Sequence, residues 1–252
     1  MPAFAACVLC GTPRSGSTLL CGMLAATGVA GRPNSFFRRE DLAAWAGAWG
    51  LPDPDRIDAP GFDGAYLLAM RREGAAGTGV FGLRLMRASV AEATGRLSRA
   101  LGTEPDLARG VEAAFGPTLW VHVSRRGHVA QAVSRVRAEQ SGVWHVAPDG
   151  TVIEGARAAR PLSCDRALIS EVVAELRSDE ASWRAFFDER GVEPLRLLYE
   201  DVAADPGAAL AAILSALGLD PAVAARAPVG TARMADAESR RWVERFRREG
   251  GA

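Results

Sequence analysis

Residues Cys10–Leu20 read CGTPRSGSTLL, and this stretch decides the fold. The apolar run Ala5–Gly11 leads into it and ends in Gly-x-Pro, the mark of a buried strand entering a turn. Ser17–Thr27 then has helical apolar spacing behind a Ser/Thr start. Gly11-xxxx-Gly16 followed by Ser17-Thr18 is the spacing of a phosphate-binding loop, yet Ser17 stands where a triphosphate loop carries its lysine. Strand, glycine-bearing turn and helix together make an anion site, because the turn aims backbone N–H groups into a concavity and the helix N-terminus adds partial positive charge. Gly16 permits close backbone approach, Ser15, Ser17 and Thr18 offer hydroxyls, and Arg14 adds a charged fork. The bland alternative is a Gly/Ser turn that merely caps a helix.

Further along, Gly79–Met86 (GVFGLRLM) and Thr118–Ser124 (TLWVHVS) read as strands, each followed by a helix, about Ser89–Leu101 and His128–Gln140. Leu195–Tyr199 reads as another strand before a helix over Pro206–Leu217. Helices are also expected over Glu40–Trp49, Gly64–Arg72, Ser163–Glu189 and Ala237–Arg248, and a loop over Val146–Pro161. Apolar strands alternating with helices predict an α/β fold, a P-loop-like parallel sheet flanked by helices, in one domain spanning 1–252. Ligands of such sheets sit beyond the carboxyl ends of the strands, which directs attention to the segments after Leu9 and after Ser124.

The second of these segments is HVSRRGHVAQAVSRVRAE, His122–Glu139. Arg125 and Arg126 leave the strand end, and Ser134 lies eight residues beyond Arg126 on the next helix. An arginine and a hydroxyl so placed bracket one more phosphate, and either Arg125 or Arg126 can supply the charge. With the first loop, this suggests a ligand carrying two separated phosphate groups.

The 252-residue chain has formal net charge zero, which argues against a general nucleic-acid or anionic-membrane binder. It contains no lysine; all 30 basic residues are arginine, so any anion clamp is built from arginine, N–H groups and hydroxyls. Of the four cysteines, Cys7 and Cys10 share the first strand at a spacing that sends them to opposite faces, so buried apolar roles are expected rather than redox or zinc binding. No secretory signal and no uncharged apolar run of about 20 residues is visible. A soluble protein of a reducing, cytoplasmic compartment is expected. The strand ends GLRLM and WVHVS carry no acidic magnesium ligand; LLYED is the one candidate.

PRSGSTLL at 13–20 and RR…QAVSRVRAEQ at 125–140 resemble the 5′-phosphosulfate loop and the 3′-phosphate motif of sulfotransferases that use 3′-phosphoadenosine 5′-phosphosulfate (PAPS). GVAGRPNSFF at 28–37, GVFGLRLM at 79–86 and ARMADAESRRWVERFRRE at 232–249 extend the resemblance, in order, to the bacterial trehalose 2-sulfotransferase family. The resemblance implies metal-independent, in-line transfer of the sulfuryl group from PAPS to a hydroxyl of a carbohydrate or glycolipid-type acceptor, leaving 3′-phosphoadenosine 5′-phosphate (PAP), and it suggests a homodimer. Pro13 through Thr18 then hold the 5′ side, Arg14 being also catalytic. Arg125 or Arg126, with Ser134, hold the 3′-phosphate, and Arg233 is a further cofactor-binding residue.

The acceptor side departs from that family. Its glutamate base precedes the paired aromatics, and aligning GRPNSFF puts Ser35 there. A serine hydroxyl is a poor base unless another group activates it. Glu40, Asp41 and His128 are the nearby replacements, although the first two also suit a helix's first turn and His128 also suits a structural role. His122 and His145 are weaker candidates. Trp45, Trp49 and Trp144 offer either a sugar-stacking surface or core packing. Three readings stay open: an active sulfotransferase with a relocated base, a catalytically impaired PAPS- or PAP-binding protein of the same fold, and an unrelated phosphoryl-transfer enzyme.

Overall fold

All six residues of the first strand, β1 (Ala6–Gly11), are buried, as befits a central strand covered on both faces. The structure is a computed structural model and describes residues 2–155, 162–230 and 236–250. After β1 come α1 (Ser17–Thr27), a 3-10 turn at Arg39–Asp41, α2 (Leu42–Ala48), α3 (Phe62–Ala75), β2 (Phe81–Met86), α4 (Val90–Leu101) and α5 (Leu107–Phe115). β3 (Thr118–Ser124), α6 (His128–Ser141), β4 (Val143–Val146), β5 (Val152–Gly155) and α7 (Arg166–Arg190) follow. The chain continues through β6 (Leu195–Leu198), α8 (Tyr199–Ala204), α9 (Pro206–Ala216) and α10 (Ala237–Arg248).

Four strands form one parallel sheet in the order β2-β1-β3-β6. Strand alternation sorts the core into two layers. Ala6, Val8 and Cys10 of β1 join Phe81, Leu83 and Leu85 of β2 and Trp120 of β3 on one face, under α3, α4, α5 and α7. Cys7 and Leu9 join Val121 and Val123 on the other face, against Leu20 and Leu24 of α1 and Leu210 and Ile213 of α9. Cys7 and Cys10 therefore diverge as expected. Burial pushes the Cys7 thiol up to about 12 and Cys10 well above its ordinary range, so both behave as small apolar groups.

A third apolar cluster joins α6, α7 and α10 through Val133, Val136, Ile169, Leu176, Trp242 and Phe246. Trp183 of α7 is fully buried, and its Nε1–H donates to Gly11 O at 3.0 Å. That bond ties the long helix to the end of β1, where the sheet's own ladder stops. Among the described residues, no helix is long and apolar enough to cross a membrane.

Two expectations change. The segment read as a loop from Val146 instead holds the turn and second strand of an antiparallel hairpin, β4–β5, which starts at Val143 and pairs His145 with Glu154. Its turn is closed by Ala147 and Thr151 (N–H donating to O at 2.8 Å), with the Asp149 carboxylate accepting from Thr151 N–H at 2.9 Å. Four-residue strands give too short an alternation to stand out from a polar, Pro/Gly-containing stretch. Residues 156–161, which belong to the same expectation, lie outside the described residues. Helix α5 adds an element to those expected, and Asp106 caps it by accepting from Arg109 N–H.

Because Trp183 fills the space between α7 and β1 and satisfies Gly11 O, Trp183→Ala is expected to cost about 3–5 kcal/mol of stability. Leu68, 68% exposed, should change little on truncation. Urea unfolding of both variants checks the contrast.

Candidate active site

At the end of β1 the chain turns through two left-handed residues, Arg14 at φ 65° and Gly16 at φ 90°. Gly16 is required twice over: positive φ favours it, and a Cβ there would meet Tyr199 Cδ2 at 2.8 Å. Gly11 is required by close approach, since a Cβ would stand 2.7 Å from Val123 O. The first-turn N–H groups of α1 have no intrahelical acceptors, and no acidic side chain occupies that turn. Ser15 and Ser17 are buried, and Ser15 Oγ has no hydrogen-bond partner among the described residues. Gln131 of α6, itself buried, braces the loop from below: its Nε2 donates to Thr12 Oγ1 and to Pro13 O, both at 2.8 Å.

The second constellation meets the first. Arg14 Nε donates to Ser134 Oγ at 3.0 Å across 120 residues of sequence, and Arg14 Nη1 donates to Trp144 O. Arg125 Nη1 donates to Arg14 O at 3.1 Å, and its guanidinium lies 4.2 Å from the Tyr199 ring centroid. Burial, with Arg125 nearby, lowers the Arg14 pKa below the usual guanidinium range. Arg14, Gly16, Arg125, Ser134 and His145 line one cavity of about 480 Å³, to which α10 adds Ser239, Arg240 and Arg247. Arg126 points elsewhere: its side chain is 62% exposed and reaches Asp201 at 3.4 Å. Arg233 lies outside the described residues.

On the acceptor side, Ser35 is buried and its Oγ accepts from Arg84 Nε at 2.7 Å. Arg84 Nη1 also donates to Thr18 Oγ1. Thr18 Oγ1 lies 3.0 Å from His145 Nε2, which in turn is 3.6 Å from Glu154 Oε2. Arg38 stands 3.9 Å from the other oxygen of Glu154. Burial, then Arg14 and Arg84, lower the His145 pKa to about 3. The imidazole is neutral at pH 7.

Other expected bases are not brought to this group. Glu40 is 72% exposed and pairs with Arg38 at 3.5 Å on the 3-10 turn. Asp41 also faces Arg38, at 3.4 Å. His128 opens α6, its pKa lowered by burial, and does not line the cavity. His122 is buried in β3 beside Glu180 at 3.3 Å. Trp45 and Trp49 stack on each other and meet Phe36 edge to face, packed on the core, which favours the packing alternative.

Sequence reasoning passed over Arg84, Gln131 and Tyr199. Arg84 did leave a signal, since a charge in the otherwise apolar strand GVFGLRLM needs a buried task. Gln131 and Tyr199 left none, because a polar residue on a helix face or at a strand end reads as surface.

Fold and loop together define an α/β protein of the P-loop-like class. The family model for the Stf0 sulphotransferases matches residues 6–249. A trehalose 2-sulfotransferase of Mycobacterium tuberculosis strain Erdman is 33% identical over 263 aligned residues, covering 94% of this chain and 92% of its own. A trehalose 2-sulfotransferase of Mycolicibacterium smegmatis is 34% identical, with the same coverage of 94% and 92%. The chain belongs to the Stf0 sulphotransferase family. A sulfotransferase domain from the Synechococcus PCC 7002 olefin synthase is a more distant structural likeness, with 17% identity, TM-score 0.47, and coverage of 96% of this chain and 94% of that one.

The lowered His145 pKa sets a pH dependence. Between about 3 and the ordinary 6.5 the unfolded chain binds more protons at this residue than the folded one, so this histidine makes stability fall as pH drops through that window. His145→Gln should remove that component. Melting temperatures of parent and variant are expected to converge, or cross in the variant's favour, between pH 6.5 and pH 4.

Proposed function

We propose that this protein transfers the sulfuryl group of PAPS to a hydroxyl of a carbohydrate, with residues 1–252 acting as one sulfotransferase-like unit. The observation that carries this reading is the convergence of Arg14, Arg125 and Ser134 on one cavity at the carboxyl end of the sheet. Family membership supports the reaction class, and the relatives' names support a sugar acceptor. The 5′-phosphosulfate lies over Arg14–Thr18, with Pro13 shaping the turn. The 3′-phosphate lies toward Arg125, the better placed of the two strand-end arginines, and Ser134. Arg233 remains a further cofactor contact in this proposal.

The chain has the donors the chemistry needs. The acceptor oxygen attacks sulfur in line while the bond from sulfur to the 5′-phosphate oxygen breaks. Negative charge grows on that departing oxygen. Donors fixed around it are stronger in the transition state than in the ground state, which lowers the barrier. The N–H groups of the loop, the α1 N-terminus and the Arg14 guanidinium are such donors.

Calorimetric titration with PAP, and separately with ATP and magnesium, tests the nucleotide. Binding of PAP alone is expected; preference for ATP with magnesium overturns the reading in favour of phosphoryl transfer. Transfer of labelled sulfate from PAPS to trehalose and a panel of sugars, read by mass, tests activity; binding without transfer to any acceptor leaves a binding protein. Arg14→Ala should lower turnover about 100-fold, far beyond its effect on melting. Ser134→Ala should weaken PAP about tenfold and adenosine 5′-phosphate much less, whereas equal losses would place Ser134 outside the 3′-phosphate contact.

A further inference from the structure

We propose that the β4–β5 hairpin supplies the proton acceptor for the transfer reaction: His145 Nε2 takes the proton of the acceptor hydroxyl, and Glu154 steadies the imidazolium that results. The proposal rests on the sulfuryl-transfer reading above. It begins from Ser35. Arg84 Nε donates to Ser35 Oγ at 2.7 Å, and an oxygen already accepting from a guanidinium has less affinity for another proton. Glu40 is out on the surface with Arg38. His145 is the imidazole that lines the cavity beside Arg14 and Ser134.

Its protonation geometry fits a base. Thr18 Oγ1 accepts from Arg84 Nη1, which leaves the Thr18 hydroxyl hydrogen to point at His145 Nε2 across 3.0 Å. That nitrogen then presents a lone pair to the loop. Glu154 Oε2 stands 3.6 Å from the same nitrogen, where it has no proton to accept until Nε2 gains one. Glu154 is a positioning residue, stabilising the charged product of proton capture. The pairing of His145 with Glu154 across the hairpin fixes their relation in the backbone.

The charged groups facing His145 are Arg14 from the loop, Arg84 from β2 and Glu154 from β5, with Arg38 beyond Glu154. Without ligand, burial first and then Arg14 and Arg84 suppress protonation. A phosphosulfate over the loop brings negative charge against those arginines and raises the basicity of Nε2. The base is thereby strengthened only when the donor is in place, and the Thr18 hydroxyl turns from the imidazole to the bound anion.

The step balances. The acceptor oxygen forms a bond to sulfur and gives its proton to Nε2. The bond between sulfur and the 5′-phosphate oxygen breaks, and its electron pair leaves on PAP. The imidazolium then returns its proton to solvent.

Two measurements test this. NMR titration of labelled histidine, of which the chain has three, is run without and with PAP. His145 is expected to stay neutral to about pH 4 alone, and its midpoint to rise by about one pH unit or more with PAP. If PAP does not bind, the donor reading itself fails; if PAP binds and the midpoint stays put, this proposal alone fails. In the transfer assay, His145→Gln should lose about 100-fold or more in kcat, with PAP affinity little changed, and should lose the acid limb of the kcat–pH profile. Glu154→Gln, on the hairpin edge, should lower kcat less and move the acid limb to lower pH without removing it, because the imidazolium loses its neighbouring carboxylate; a limb that stays put or moves to higher pH removes Glu154 from this role. A His145→Gln enzyme with undiminished kcat and an intact acid limb overturns the proposal. So does loss of that limb in Ser35→Ala or Glu40→Gln instead.

Discussion

The hydrogen bond from Arg14 Nε to Ser134 Oγ holds the two halves of the site together. A guanidinium drawn out of water must find acceptors or its desolvation goes uncompensated. Arg14 finds them in the Ser134 hydroxyl and the Trp144 carbonyl, while its own carbonyl accepts from Arg125. These contacts hold a non-glycine residue at φ 65°, a backbone state that costs energy in isolation. Gln131 fixes the start of the same turn through Thr12 and Pro13. Helix α6 is therefore the frame against which the loop is set. Its partner α7 is pinned to the end of β1 by Trp183.

Charge is concentrated here by pairing, since the chain as a whole is neutral. Away from the loop, several arginines are tied to carboxylates. The buried Arg96 donates to Glu92 at 2.7 Å and to Asp63 at 2.5 Å. At the carboxyl end of the sheet, Arg84 donates to two hydroxyls, Ser35 and Thr18, and Arg14 to a hydroxyl and a carbonyl. Neutral acceptors leave the positive field in place, whereas carboxylates would cancel it. Burial, with the same field behind it, keeps the His145 imidazole neutral. The β4–β5 hairpin thus sits in the electrostatic neighbourhood of the loop, although 127 residues separate His145 from Thr18.

Much of the frame was legible in the sequence. Thr118–Ser124 and Ser17–Thr27 are observed with the ends their patterns predicted, and Ala237–Arg248 matches as well. Fully apolar strands, a glycine stop and helical spacing are local signals, each set within a few residues. The strand alternation that separates Cys7 from Cys10 is local too. The hairpin at β4–β5 left no such signal because its strands are only four residues each, too short for alternation to stand out. Helix α5 escaped although Asp106 at its start was a readable cap.

By itself the sequence determined the class: a parallel α/β sheet, a phosphate-loop spacing without lysine, and an arginine-only supply of charge. Those follow from residue type and spacing, which the chain carries wherever it folds. Only the tertiary structure decided that Arg125 rather than Arg126 turns to the cavity, that Arg84 occupies the Ser35 hydroxyl, and that His145 meets Thr18 with Glu154 beside it while Glu40 stays at the surface. Each of these depends on which face of an element meets which neighbour across dozens of residues. That is settled by packing and by the need of buried charges for partners, and no local pattern records it.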